Sequence, residues 1–270
     1  MSNLFDVVIP VGPCDYMQVL QQLDATQKNV VGLRNIYLIC SDPDIIPAQN
    51  ETNVIVVPET TFPFTINDIA QMHGEFERNG WYLQQLLKLY AGIVIPGILD
   101  RYLVIDCDTH FLKPTVFIDP ESNRCLYNTG TEYHLPYFEH MKKLHPSLIK
   151  QHMDLSGICH HTMIETKYMR ELINLVEEYH NTESYEPIHP FVKAPFWEIY
   201  IRNVLPEYRG RERLNASGAA ENEIYFNYIM IYHPNDVMIR RLNWANVHDN
   251  PNLFLDSDFS YVSWHYYMRR

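Results

Sequence analysis

A chain of 270 residues with 46% apolar side chains can bury the core of one large α/β domain or of two small ones. Its formal charge of -12, with no cluster of Lys or Arg, excludes a protein that grips a nucleic-acid backbone by charge, and a polyanionic ligand would need a metal ion or a local positive patch. The five cysteines, Cys14, Cys40, Cys107, Cys125 and Cys159, are odd in number and have no C-x-x-C pair, which predicts reduced core thiols in a cytoplasmic protein rather than a zinc or redox centre.

The first residues run directly into strand-like sequence, LFDVVIPV (4–11), with no basic n-region or signal sequence. No later stretch approaches the roughly 20 apolar residues that cross a bilayer, so no transmembrane segment is expected. The N-x-S/T matches at Asn50 and Asn215 are therefore read as accidental. Further short β-rich runs follow at IYLIC (36–40), VIVV (54–57) and YLVID (102–106), separated by helix-length segments. That alternation predicts an α/β fold with a parallel sheet. The clearest helix is GWYLQQLLKLYAGI (80–93), where Leu83, Leu86, Leu87 and Tyr90 repeat at i, i+3, i+4 and i+7 between Gly80 and Gly92. Beyond Pro120 the pattern is mixed: a strand at GICHHTMI (157–164), helices over 166–180, 196–205 and 221–230, and β-like sequence at VMIRRLNW and FSYVSWHYY. No repeat, low-complexity tract or linker divides the chain, so residues 1–270 are read as one domain.

The run RYLVIDCDTHFLKP (101–114) ends an apolar strand on two carboxylates two positions apart. Alternate side chains of a strand share a face, so Asp106 and Asp108 can point the same way while Cys107 turns back into the protein. Paired carboxylates at the carboxyl edge of a sheet suit a hard divalent cation, Mg²⁺ or Mn²⁺, whose remaining positions take phosphate oxygens and water. The plain alternative is a turn capped by Asp108, with Asp106 in a local hydrogen bond.

The blocks around this turn carry a resemblance. GWYLQQLLKL, then the strand with DCDTHF and LKP, together with the opening DVVIPVGPCDY and the later ENEIYFNYI, resemble glycosyltransferases of the GT-A fold. The likeness is greatest to a group of uncharacterised GT-A-like proteins with the patterns GW..QQLLKL and YLVLDADT. It implies a Rossmann-like, mixed and mainly parallel central sheet flanked by helices, with residues 1–120 as a nucleotide-binding half and 121–270 as an acceptor-side half. It also implies a nucleotide-sugar donor, most often a UDP-sugar, bound with Mn²⁺ or Mg²⁺, and a glycan as acceptor. Mapped onto this chain, Asp106 would lie near the ribose and metal, Cys107 would sit between the two carboxylates of the motif, and Asp108 would be the principal carboxylate ligand. Pro10, Val11, Gly12 and Asp15 would line the base and ribose pocket. Lys88 would reach the ribose or phosphates, its alternative being a solvated helix position. His265 would be a third metal ligand, with Arg269 and Arg270 behind it to offset a diphosphate.

Transfer also needs a carboxylate at the acceptor, as base or as stabilising group. Glu221 and Glu223 are the candidates, Glu223 favoured as base, with Asp154 in reserve; their alternative is that of helix-start acids favoured by the dipole. Ala220 stands where the resembled pattern has Ser, so the helix lacks its expected cap. In SGICHH, Ser156 and Gly157 would allow close approach of the sugar, and alternation predicts that one of His160 and His161 is buried and the other faces the cleft, a satisfied core position being the commoner fate. Trp197, Trp244 and Trp264 are candidate sugar platforms or core residues. The expected function is a metal-dependent hexosyl- or pentosyltransferase moving a sugar from a nucleotide diphosphate to a glycan hydroxyl. A GT-A-like module that binds without turnover is the alternative, and a nucleotidyltransferase is disfavoured because IPVGPCDY has no basic phosphate loop.

Overall fold

The computed structural model describes residues 4–45, 53–74, 78–183, 193–208 and 217–269. Asn50, Asn215 and Arg270 lie outside them. Strand β1 (Phe5–Pro10) is buried at every position, the pattern of a parallel strand covered on both faces. It is followed by helix α1 (Val19–Asn29), strands β2 (Val30–Val31), β3 (Leu33–Cys40) and β4 (Val54–Pro58), and helices α2 (Ile66–His73) and α3 (Asn79–Val94). Strands β5 (Arg101–Ile105), β6 (Thr109–Phe111), β7 (Thr115–Val116) and β8 (Cys125–Asn128), then helix α4 (Leu135–Leu144), lead to strand β9 (His161–Glu165). Helices α5 (Thr166–Glu178), α6 (Phe196–Arg202) and α7 (Glu221–Tyr232) and strands β10 (Val237–Arg240), β11 (Trp244–Asn246) and β12 (Tyr261–Ser263) complete the described elements.

The central sheet has the order β4-β3-β1-β5-β9 among the described residues. The first four strands run parallel, and β9 closes the edge antiparallel to β5, with Ile105 opposite His161. The fold is thus α/β with a mixed, mainly parallel central sheet flanked by helices. Asp6 is fully buried in β1 yet fully engaged, accepting from Arg34 Nε (2.9 Å) and Nη2 (2.5 Å) and from the backbone N–H of Asn35 (3.1 Å) and Leu99 (2.7 Å). One hydrophobic cluster takes in Phe5, Leu103, Tyr200 and Tyr225, so both halves of the chain share a core.

Helix α3 buries the expected stripe of Leu83, Leu86, Leu87 and Tyr90, and also Asn79, Gln85 and Lys88. Its Gly92 is a packing requirement, because a side chain there would collide with Thr166 Oγ1 and the ring of Tyr102. Three expectations need correction. The strand expected over 157–164 starts only at His161, because His160 has φ 63, in the left-handed region that an extended strand cannot include. The helix expected over 196–205 ends at Arg202. Cys14 is exposed in the turn after β1 and is no core thiol, whereas Cys40, Cys107, Cys125 and Cys159 are buried. Among the described residues no helix is long and apolar enough to cross a membrane.

All five cysteines are free. Burial pushes the Cys40 thiol up to about 11 and those of Cys125 and Cys159 to about 12, so little thiolate forms at neutral pH. A disulfide-exchange reagent at pH 8 should therefore modify one thiol quickly in the native protein, Cys14, and five after denaturation. Protection of Cys14, or fewer than five thiols in denaturant without reductant, would contradict this arrangement.

Candidate active site

The carboxyl end of β5 delivers the D-x-D turn. The Asp106 N–H donates to the His160 carbonyl (2.9 Å), and the Thr109 N–H turns back to the Asp106 carbonyl (2.9 Å). Strand β6 then pairs antiparallel with β12, Thr109 opposite Ser263 with their hydroxyls 2.8 Å apart. That pairing carries the C-terminal segment to the turn. The Trp264 N–H donates to the Asp108 carbonyl (2.8 Å), and His265 Nδ1 lies 2.7 Å from Asp108 Oδ2. Cys107 is buried between the two aspartates as expected, but in the turn after β5, which ends at Ile105, and not on the strand.

The two carboxylates differ in their partners. Asp106 Oδ1 accepts from Lys88 Nζ in a short ion pair and from Gln84 Nε2 (3.4 Å), and Oδ2 faces His160 Nδ1 at 3.2 Å. Lys88 also donates to Glu221 Oε1 (2.7 Å). A single ammonium therefore ties α3, the end of β5 and the first turn of α7 together. Burial pushes the Asp106 carboxyl up, but Lys88 and His160 outweigh it and hold the group below the usual carboxylate range. Burial also acts against the Lys88 ammonium, and Asp106 and Glu221 more than compensate, raising it. Lys88 is thus no solvated helix position: it is 4% exposed. Asp108 Oδ1, by contrast, is buried without a hydrogen-bond partner among the described residues. Burial acts against protonation of His265, and the Asp108 hydrogen bond and charge outweigh it, raising its affinity for a proton.

The loop after β1 closes the same edge. The Val11 N–H donates to the Ile39 carbonyl (2.8 Å), Gly12 is exposed, and Asp15 accepts from Arg269 Nη2 at 2.5 Å. Arg269 also donates to the carbonyls of Cys14 (3.1 Å) and Trp264 (3.0 Å). Burial raises the Asp15 carboxyl, Arg269 opposes the rise, and the charges of Asp108 and Asp106 add to it. Three carboxylates therefore act on one another here, a field that a divalent cation would relieve. Among the described residues no three His, Cys, Asp or Glu side chains already converge on one point. Carboxylate and imidazole are donors of the kind that Mn²⁺ or Mg²⁺ takes, and Asp108 Oδ1 is the buried carboxylate oxygen here without a hydrogen-bond partner, His265 Nδ1 being on Oδ2.

Helix α7 starts at Glu221 as expected, although Ala220 provides no side-chain cap. Its two acids part company, as a two-residue offset on a helix requires. Glu221 faces Lys88. Glu223 is fully buried and engaged by Lys150 Nζ (3.1 Å to each oxygen), Ser156 Oγ (2.5 Å), the Gly157 N–H (3.2 Å) and Asn227 Nδ2 (2.7 Å). The carboxylate favoured as base from the sequence is therefore closed off from any acceptor hydroxyl. Gly157 does permit a close approach, but of α7: a side chain there would meet the Asn222 carbonyl at 2.6 Å. Asp154 is exposed.

Of the two histidines His161 is buried and His160 faces Asp106, the expected division, although it comes from the left-handed backbone of His160 and not from strand alternation, and His161 is no satisfied core residue. Neither of its ring nitrogens has a hydrogen-bond partner among the described residues, and burial pushes it down to about 3. Rings line the edge in sequence: Trp244 to His160 (5.1 Å), His160 to His265 (4.9 Å), His265 to Tyr267 (5.3 Å). Trp264 is buried, with Nε1 on the His248 carbonyl (3.1 Å), and Trp197 packs on Phe64 beside a hollow whose lining contains neither Asp106 nor Asp108. Gln84 was not singled out in the sequence, though it lies one helical turn before Lys88 and so on the same face.

No curated protein matches the chain in sequence. A family model does match it, over residues 29–198, a span that holds the D-x-D turn, Lys88 and His160. Covering more than half of the chain, that match makes the protein a member of DUF6492, a family of unknown function.

Proposed function

We propose that the protein is a metal-dependent glycosyltransferase that moves a sugar from a nucleotide diphosphate, a UDP-sugar foremost, to a glycan hydroxyl. The observation that carries this reading is the D-x-D turn at the carboxyl edge of a mainly parallel sheet, with a buried carboxylate oxygen of Asp108 left unpartnered next to His265. The resemblance of the sequence blocks to GT-A glycosyltransferases adds the reaction class. Asp108 and His265 would hold Mn²⁺ or Mg²⁺, and the ion would offset the charge of the departing diphosphate. Pro10, Val11, Gly12 and Asp15 would border the nucleoside, with Arg269 keeping Asp15 in place. Lys88 would fix Asp106 and Glu221 rather than touch the donor. With Glu223 engaged by Lys150, Ser156, Gly157 and Asn227, the exposed Asp154 would be the reserve carboxylate for an acceptor, and Glu221 would serve the site through Lys88. The free thiols fit a reducing cytoplasm.

UDP should bind with Mn²⁺ at least 10-fold more tightly than in EDTA when titrated by calorimetry, and Asp108→Asn should remove the difference. Equal affinity in both conditions would rule out the metal centre. The engagement of Glu223 also favours a second reading, a nucleotide- or glycan-binding module without turnover. Release of UDP from a screened set of UDP-sugars with Mn²⁺ separates the two.

A further inference from the structure

The cations at the D-x-D edge are not equally engaged. Lys88 is shared between Asp106 and Glu221, and Arg269 holds Asp15. Arg78, the residue that opens α3, makes no ion pair among the described residues. Its Nη2 donates to Ser217 Oγ (2.8 Å), the guanidinium lies over the Trp81 ring, 4.5 Å from its centre, and Nε is buried without a hydrogen-bond partner. A guanidinium stays charged, and a hidden donor that bonds to nothing costs stability, so this arrangement calls for an acceptor that the described residues do not supply.

The fold places that charge beside the site. Arg78, Trp81, Gln84 and Lys88 are spaced three, three and four apart and so form one stripe of α3, and the far end of the stripe, Gln84 and Lys88, contacts Asp106. Arg78 stands ten residues before Lys88, about 15 Å along the helix. On the other side, Ser217 is held by His134 Nε2 on its carbonyl (2.9 Å) and lies four residues before Glu221, the partner of Lys88. Two phenols bracket the guanidinium: Tyr267 stacks on His265 (5.3 Å), which contacts Asp108, and Tyr137 lies in the field of Glu221. Burial raises both phenols, Tyr137 to about 12; the Ser217 hydrogen bond opposes the rise at Tyr137, and the Arg78 charge opposes it at both. Glu132 acts on the same two phenols but stays outside ion-pair distance of Arg78.

We propose that Arg78 recognises the anionic group of an acidic sugar, a carboxylate or a phosphate, through the forked pair of hydrogen bonds that a guanidinium makes, with Trp81 holding its plane. Its distance along α3 from the Asp106 contacts assigns it to the sugar end of the substrates and not to the diphosphate. This rests on the glycosyltransferase reading above. The anion belongs to the transferred sugar or to the acceptor, and the test has an arm for each.

The full chain is titrated by calorimetry in MnCl₂. One arm compares UDP-glucuronic acid with UDP-glucose; the other, at saturating UDP, compares glucuronic acid and glucose 6-phosphate with glucose. In one arm an acidic probe should bind roughly 10-fold or more tightly than its neutral counterpart, Arg78→Met should remove the preference, and Arg78→Lys, which keeps the charge without the fork, should retain part of it. A preference in the first arm puts the anion on the transferred sugar, and one in the second puts it on the acceptor. Equal affinities in both arms of the wild type, or a preference that survives Arg78→Met, overturn the assignment. So does an Arg78→Met protein in which UDP alone is weakened as much as the acidic probe, because the arginine then serves the diphosphate. A wild type that binds UDP without an acidic preference sinks this inference alone, whereas one that binds no UDP sinks the reading beneath it as well. The wild-type comparison and Arg78→Lys decide the matter even if Arg78→Met does not fold.

Discussion

Lys88→Met should lower the unfolding free energy by about 3–5 kcal/mol, the range for removing one partner of a buried ion pair. Met fills similar volume and suits a helix, so the loss isolates the charge. What remains is two carboxylates, Asp106 and Glu221, that shared one ammonium in a site where Lys88 is 4% exposed. The pH dependence supplies a second and sharper readout. In the wild type the Asp106 carboxyl is held below its ordinary value, so its contribution is present at neutral pH and is lost as pH falls through the carboxylate range. Lys88 is raised, so its contribution is complete at neutral pH and disappears only at strongly alkaline pH. Wild-type stability should therefore be flat from pH 7 down to the ordinary Asp value of about 3.9 and drop on acidification below it. In Lys88→Met the sign reverses: one proton taken up between the facing carboxylates relieves their repulsion, and stability should rise toward acid by at most about 1.4 kcal/mol per pH unit. Asp106→Asn in the Lys88→Met background should recover part of the loss. Denaturant melts at several pH values read all three, and a parallel pH profile for variant and wild type would show that Lys88 is not the shared counter-ion.

The parts of this arrangement that local sequence encodes were legible in it. Cys107 is buried between Asp106 and Asp108, and His161 is buried while His160 faces Asp106, the divisions expected from the sequence, but turn geometry after β5 and the left-handed His160 before β9 produce them, not strand alternation. The apolar spacing of α3 fixed the helix, and its flanking Gly92 proved to be a packing requirement. The pairing of β12 with β6 brought His265 to Asp108, two residues 157 positions apart that only the family resemblance had joined. What local pattern could not encode is the satisfaction of buried charge. Lys88 looks like any helix lysine until α7 is folded against α3, and the counter-charges then come from residues 18 and 133 positions away. The antiparallel edge strand was likewise hidden, because a buried strand has the same apolar text in either direction. The left-handed backbone of His160 has no signature in side-chain periodicity and is fixed by contacts to Asp106 and Trp244 from elsewhere in the fold.

Glu223 is where the sequence and the structure lead to opposite experiments. As a general base it would stand at the cleft, and Glu223→Gln would fold normally while transfer fell roughly 100-fold or more. As found, it is fully buried and takes hydrogen bonds from Lys150, Ser156, the Gly157 N–H and Asn227, while Lys150 also caps the Leu155 carbonyl (2.5 Å) and lies over the Phe138 ring (4.8 Å). Glu223→Ala should therefore cost about 3–5 kcal/mol, because it leaves the buried Lys150 ammonium with no counter-charge and takes the acceptor from Ser156 Oγ and the Gly157 N–H, while Asn227 keeps the backbone carbonyl of residue 223 (2.8 Å). Glu223→Gln should fall between wild type and Ala, since the amide oxygen can still accept from Ser156 or Gly157 but cannot neutralise Lys150. Adding Lys150→Met to Glu223→Gln should return part of the loss, as expected when both charges of a buried pair are removed together. Glu221→Gln serves as the internal comparison: it loosens Lys88 but leaves the Ser156–Gly157 turn intact, so its melting curve should lie closer to that of the wild type. A Glu223→Gln protein with wild-type stability and no transfer would restore this residue as the base; one that is destabilised, yet transfers normally at a temperature where it is folded, assigns it to holding the turn against α7.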